Sequence, residues 1–152
     1  MFRGVTELSL DAKGRMAMPT RYRERLVESC KGHLVITIDT AEKCLAIYPL
    51  PEWEVIQEKL DNLSSFNKKT VVVKRLLMGN ATDVDMDANG RILVPPKLRK
   101  YANLDKRVVM IGQGKKFELW DEAAWDSQCE AWQMDDSLDE GELPPELANL
   151  SL

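Results

Sequence analysis

Two short apolar–polar alternations, LSLD (8–11) and VDMD (84–87), predict short, half-buried strands. Each runs into a turn phrase, Asp-Ala-Lys-Gly at 11–14 and Asp-Ala-Asn-Gly at 87–90. Asp in such a phrase bonds its own backbone, and Gly tolerates positive φ. RMAM (15–18) and RILV (91–94) follow as return strands, each closing a hairpin. Pro19 and Pro95 stop those strands and suit the first turn of a helix, where a missing N–H is harmless. The helices expected there, PTRYRERLVESC and PPKLRKYA, are short and basic, with Tyr22, Leu26 and Cys30 along one face of the first. LVITID and RVVMIG are β-rich runs. CLAIYP and FELWD end each half as strands before a helix that carries Trp53 or Trp125.

The pattern therefore occurs twice. At an offset of 76, Asp11, Ala12, Gly14, Arg15, Pro19 and Arg23 meet Asp87, Ala88, Gly90, Arg91, Pro95 and Arg99. Further along the offset falls to 72 and pairs Tyr48 with Trp120 and Trp53 with Trp125. The boundaries read as a first unit at 5–52, a helical connector at 53–78, a second unit at 79–122 and a C-terminal helix with an acidic tail at 123–152. In the connector Trp53, Ile56, Leu60 and Leu63 fit helical spacing, as core or as a face for a neighbouring subunit. A basic stretch with Lys68, Lys69, Lys74 and Arg75 follows Asn67. From Asp135 the composition suits disorder or loose docking. A unit of about 45 residues cannot bury much apolar surface alone. Two of them can pair about a pseudo-twofold axis and share one β core.

Charge sharpens this division. From Glu118 to Leu152 there are eleven acidic residues and no Lys or Arg, so all 21 basic residues face 14 acidic ones in 1–117, a balance of +7. The overall charge of −4 hides a basic body and an acidic tail. Cys30, Cys44 and Cys129 are odd in number and never in a C-x-x-C pair, which argues against a disulfide scaffold or a structural zinc site and reads as buried thiols. No apolar run approaches a membrane span, and MFRGVTELSLD lacks a signal-peptide core, so a cytoplasmic protein is expected. Enzyme chemistry finds little to use. His33 is the one histidine and reads as structural. Asp83, Asp85 and Asp87 alternate along a strand, without the later Glu of a calcium loop. No catalytic residue, metal, cofactor or small-molecule substrate is expected.

The Arg after each turn has two readings. In one it braces the hairpin by pairing with the Asp four residues earlier, which contributes little to stability. Alternatively the two turns present Lys13 and Arg15, and Asn89 and Arg91, on one face, with Arg3 near the first. Arg reads guanine O6/N7 in bidentate fashion, Asn engages adenine or phosphate, and a β-ribbon is narrow enough for the major groove. The following helices add Arg21, Arg23, Arg25, Lys97, Arg99 and Lys100, some of them ordinary solvated residues.

The MFRG start, DAKGR followed by PTRYR, IYPLPEW, RLLMG, DANGR and KFELWDE together resemble the MraZ family, from Met1 to about Trp125. The resemblance implies two tandem AbrB-like units, with Asp-x-x-x-Arg signatures at Asp11/Arg15 and Asp87/Arg91. It implies a mainly β fold, a pseudo-twofold swapped-hairpin β-barrel with short peripheral helices. It further implies closed-ring homo-oligomers and sequence-specific binding of double-stranded DNA. The implied targets are short direct repeats upstream of the division and cell-wall gene cluster, including the family gene itself, which puts the protein at the nucleoid. Arg3, Lys13, Arg15, Asn89 and Arg91 are the DNA-contacting candidates, and Lys13 against Asn89 ranks the first turn above the second. The competing reading is an antitoxin-like AbrB-fold protein that binds a partner protein through its acidic C-terminal arm.

Overall fold

A computed structural model describes residues 1–135 and 143–151. Met1–Glu122 form one compact body and Ala123–Leu152 a second unit. In chain order the body contains β1 (Phe2–Ser9), β2 (Arg15–Ala17), α1 (Thr20–Cys30), β3 (His33–Ile38), β4 (Leu45–Pro49), α2 (Leu50–Asp61) and α3 (Lys68–Gly79). It continues with β5 (Thr82–Asp85), β6 (Arg91–Leu93), α4 (Pro96–Tyr101), β7 (Arg107–Gly114) and β8 (Lys116–Asp121). α5 (Glu122–Gln133) starts at the last residue of the body and runs through the second unit, where the Trp125 and Trp132 rings meet at a steep angle with centroids 6.0 Å apart, and the single turn α6 (Pro145–Ala148) follows. Of the segment from Asp135 expected to be disordered or loosely docked, residues 136–142 and 152 lie outside the described ones.

The body is built mainly on sheet, as expected. Six strands lie in the order β1-β7-β8-β4-β3-β5, and β2 and β6 form a separate two-stranded ribbon. That order is palindromic about the two repeats. β8 and β4 meet at the centre with Leu45 opposite Leu119, Ala46 opposite Glu118 and Ile47 opposite Phe117. The outer pairs correspond too, since Ser9 opposite Arg107 has its counterpart in Asp85 opposite His33. In the ribbon Arg15 faces Leu93, Met16 faces Ile92 and Ala17 faces Arg91. A pseudo-twofold axis therefore passes through the Ala46/Glu118 and Met16/Ile92 pairs.

One expectation needs correction. The return strands do not close hairpins within their own units: β1 pairs with β7 of the other half, and β2 with β6. The turns form as expected, but three residues are too few to bury a face alone. Met16 and Ile92 become buried together at the centre of the ribbon. Around them Met18, Tyr22, Leu26, Leu34, Ile36, Leu45, Ile47, Val94, Leu98, Met110, Phe117 and Leu119 make the shared core. Phe117 is fully buried and lies 4.2 Å from the Phe2 ring and 5.1 Å from that of Tyr22, between centroids.

The central strands are buried on both faces, which is why LVITI reads as a continuous apolar run rather than an alternation. Leu34, Ile36 and Ile38 face the shared core, whereas Val35 and Thr37 are buried on the other side. There Thr37 Oγ1 donates to the Leu77 carbonyl at 2.7 Å, tying α3 to β3. α2 buries Trp53 and Leu60, leaves Ile56 half-buried, and ends before Leu63, which is exposed. The basic stretch after it is a separate helix. Asn67 caps α3 by accepting from the Lys69 and Thr70 amides at 2.9 and 3.3 Å.

Candidate nucleic-acid interface

Each turn is held by its aspartate. Asp11 Oδ1 accepts the backbone amides of Lys13 at 2.9 Å and Arg15 at 2.8 Å, while Oδ2 accepts Arg15 Nε at 2.8 Å. In the second copy Asp87 Oδ1 accepts the amides of Asn89 and Arg91, both at 2.9 Å, and Oδ2 accepts Arg91 Nε at 3.1 Å. The main chain closes each loop, with Asp11 N donating to Arg15 O and Asp87 N to Arg91 O. Gly14 and Gly90 complete the turns at φ +85° and +75°, a region open to Gly without steric cost.

The bracing reading of the arginines is therefore correct as far as it goes, and it leaves the other reading open. Only Nε is engaged by the aspartate. The terminal amines of Arg15 and Arg91 hold no hydrogen bond to protein among the described residues, and these form the guanidinium edge that suits bidentate acceptors. A carboxylate that fixes Nε reduces the rotamer freedom lost on binding.

The ribbon brings the two copies together. Met16 and Ile92 point into the core, so alternation sends Arg15, Ala17, Arg91 and Leu93 to the opposite, outer face. Arg15 and Arg91 sit there as diagonal neighbours, each half-buried, with exposed Lys13 and Asn89 in the adjoining turns. Ala17 and Leu93 belong to this surface, and Leu93 is 48% exposed. Motif reading passed over both, although the alternation in RMAM and RILV marks them. They are pseudo-symmetric counterparts, so Ala17 against Leu93 adds a second asymmetry to Lys13 against Asn89.

Other candidates fall elsewhere. Arg3 lies on β1 opposite Gln113, six strand steps before Ser9, or roughly 20 Å at ordinary strand rise. The expected proximity of Arg3 to the first turn is not found. Its carbonyl instead accepts the Tyr22 hydroxyl. The arginines of α1 are also committed within the body: Arg21 donates to Thr6 Oγ1 at 2.6 Å, Arg23 to the Met18 carbonyl at 2.8 Å and Arg25 to the Met1 carbonyl at 2.8 Å. Arg99 donates to the Val94 carbonyl at 3.0 Å. Lys97 and Lys100 remain exposed on α4.

His33 is structural, its Nδ1 lying 2.5 Å from Asp85 Oδ1 across β3 and β5. Cys30 and Cys44 are buried thiols, and Cys129 is half-buried. Asp39, Cys44 and Glu118 place ligand atoms within 4.8 Å of one another. Their chemistry is already used: Asp39 accepts the Ala41 and Glu42 amides, and Glu118 accepts the Trp120 indole. Burial, followed by the charges of Glu118 and Asp39, pushes the Cys44 thiol up and keeps it protonated.

Amide donation holds both turn carboxyls below the ordinary aspartate value of 3.8, the Arg15 and Arg91 amides contributing most against a partial desolvation. A depressed folded-state pKa stabilises the turn fully above the ordinary value, and that stability is lost as pH falls through the lowered one. Both turns should therefore be intact from neutral pH down to the ordinary aspartate range. Carboxyl resonances of Asp11 and Asp87 are expected to titrate below 3.8. Asp11→Asn should abolish the acid transition in the first turn alone. Midpoints at or above the ordinary value would contradict the hydrogen-bonded geometry.

The sequence model of the family described as "MraZ protein, putative antitoxin-like" matches residues 1–76 and again 77–142. A protein of Pseudomonas aeruginosa named "Transcriptional regulator MraZ" is 53% identical over 152 residues, the whole of both chains. One of the same name from Halorhodospira halophila is also 53% identical over the full length of both. A third, from Nitrosospira multiformis, is 60% identical over 131 residues, covering 86% of this chain and 88% of its own.

Proposed function

The chain belongs to the MraZ family, whose curated relatives are named transcriptional regulators, and from that premise we propose that it binds double-stranded DNA through the outer face of the β2–β6 ribbon. The observation that carries the proposal is the juxtaposition of Arg15 and Arg91 on that face, each fixed through Nε and each partly exposed. Two strands present a ribbon that fits the roughly 12 Å width of the major groove. Lys13 and Asn89 stand at its ends, and Arg3 contributes from the far end of β1 as a peripheral phosphate contact. The reciprocal pairings of β1 with β7, β5 with β3 and β2 with β6 support a swapped-hairpin barrel of two AbrB-like units, at 5–52 and 79–122, joined by the connector at 53–78 and followed by the segment 123–152.

The targets proposed are short direct repeats upstream of the division and cell-wall gene cluster that includes the protein's own gene, with the protein at the nucleoid in the cytoplasm. One subunit offers few cationic contacts and binds weakly. A closed ring of copies on successive repeats raises effective concentration, so that modest affinities combine. The test is a gel shift of the purified protein on its own upstream DNA, with and without the repeats, across a salt series. Strong dependence on the repeats at physiological salt is expected. Equal binding to repeat-free DNA at every salt concentration would reduce the interaction to general basic attraction.

A further inference from the structure

Each turn of the ribbon is clasped by the other half of the chain. The Gly14 carbonyl accepts the Val94 amide at 2.9 Å, and the Gly90 carbonyl accepts the Met18 amide at 2.8 Å. Over each of these bonds lies an arginine. Arg99 Nε donates to the Val94 carbonyl at 3.0 Å, and Arg23 Nε to the Met18 carbonyl at 2.8 Å. The same two guanidinium groups cover the opposite glycines. A Cβ built on Gly14 would stand 2.6 Å from Arg99 Cζ, and one on Gly90 would stand 2.4 Å from Arg23 Nε. Both glycines are buried beneath these groups, and both arginines are half-buried. The arrangement repeats across the pseudo-twofold axis without an exception.

We propose that Arg23 and Arg99 are positioning residues that act crosswise: Arg99 sets the turn that carries Lys13 and Arg15, and Arg23 sets the turn that carries Asn89 and Arg91. The inference rests on the reading of those turns as DNA-contacting. It departs from the expectation that these arginines either join the DNA-facing set or are ordinary solvated residues. The physical case is the shape of the guanidinium. Its flat face lies against a residue with no side chain while its Nε reaches a carbonyl. A lysine ammonium is a point charge on a flexible stem and cannot do both. Each turn is thus held, separately from the other, by a helix of the opposite repeat. The position of Arg15 or Arg91 then depends on the other half of the chain as well as on its own loop.

The test uses the full chain with Arg99→Lys, Arg99→Gln, Arg23→Lys and Arg23→Gln. Hydrogen exchange followed by mass spectrometry reports on peptides spanning 11–15 and 87–91. Substitution of Arg99 is expected to speed exchange in 11–15 and spare 87–91, and substitution of Arg23 the reverse. Operator affinity is expected to fall roughly tenfold for each Gln variant, the scale of a hydrogen bond from a charged group. In double-mutant cycles Arg99→Gln should couple with Lys13→Ala and add independently to Asn89→Ala, while Arg23→Gln shows the converse.

Exchange that rises equally in both turns, or in the turn of the same repeat, overturns the crosswise assignment. So does strict additivity in every cycle. Failure of the DNA reading looks different: Lys13→Ala and Asn89→Ala would leave operator binding unchanged while the exchange pattern still decided which arginine holds which turn. Where a Gln variant fails to fold, the Lys variant, which keeps the charge and the aliphatic stem, carries the comparison.

Discussion

Arg15→Ala is expected to abolish operator binding while leaving the fold and the oligomer intact. The large effect follows from where the side chain ends. Its terminal amines hold no hydrogen bond to protein among the described residues, and a bidentate contact to a base is worth about 1–3 kcal/mol. That loss recurs in every subunit engaged on the repeats, so several copies acting together lose far more than one contact. The small effect on stability follows from where the side chain begins. Its pair with Asp11 is more than one-third exposed on both sides, and such surface pairs contribute little. Moreover, Asp11 keeps the backbone amides of Lys13 and Arg15 when the side chain is removed, so the turn itself persists. Fluorescence anisotropy on a repeat-containing promoter, beside thermal unfolding and sedimentation of the same preparation, separates the two consequences. Normal operator affinity for the variant would end the assignment of the ribbon face as the interface. Arg91→Ala should weaken binding less, because the second turn offers Asn89 where the first offers the charge of Lys13.

Gly112→Ala is expected to cost about 3 kcal/mol of stability, the upper end for adding volume to a packed site. Gly112 faces Gly4 where β7 pairs with β1. A Cβ at this position would lie 2.4 Å from the Arg3 nitrogen, 2.7 Å from its Cα and 2.8 Å from the Phe2 carbonyl carbon. All three are main-chain atoms, so no side chain can swing aside. β1 would have to lift from β7, and Phe2 would be drawn from its place against Tyr22 and Phe117. The clash joins the first strand of one repeat to a strand of the other, which makes the substitution a direct probe of strand exchange. Gly79→Ala is the control: a Cβ there meets nothing within 4 Å, and the change should fall within about 0.5 kcal/mol. Equilibrium denaturation of the two variants checks both. A Gly112→Ala midpoint equal to that of the parent chain would show that β1 does not pack against β7 this closely.

The turns were legible because their chemistry is local. Asp11 finds its donor partners within four residues, and Asp87 does the same, so the phrase and its glycine define the loop wherever the chain is placed. Pro19 and Pro95 marked helix starts for a similar reason, since each immediately precedes or begins the first helical turn. The α3 helix was less legible. Its cap at Asn67 is a clear local signal, but the apolar residues that follow bury no full face, so periodicity alone gave no stripe to read. Arg23 and Arg99 were misleading on composition. A basic residue on a short helix looks the same whether it faces phosphate or a neighbouring carbonyl.

By itself, then, the sequence determined the duplication, the two Asp-braced turns, the arginine that each presents and the basic character of the body. The turns and their arginines depend on residue types within a few positions of one another, and the duplication and the charge are read along the chain without any knowledge of its pairing. Tertiary structure alone decided which strand pairs with which. β2 and β6 carry the same alternation, as do the strands that precede them, so the pattern fits partners in either repeat equally well. The choice falls to burial. A three-residue strand cannot cover its own apolar side chain, whereas two crossing the axis bury Met16 against Ile92. That exchange places Arg15 beside Arg91 and turns Arg23 and Arg99 from surface cations into clasps on the opposite turns.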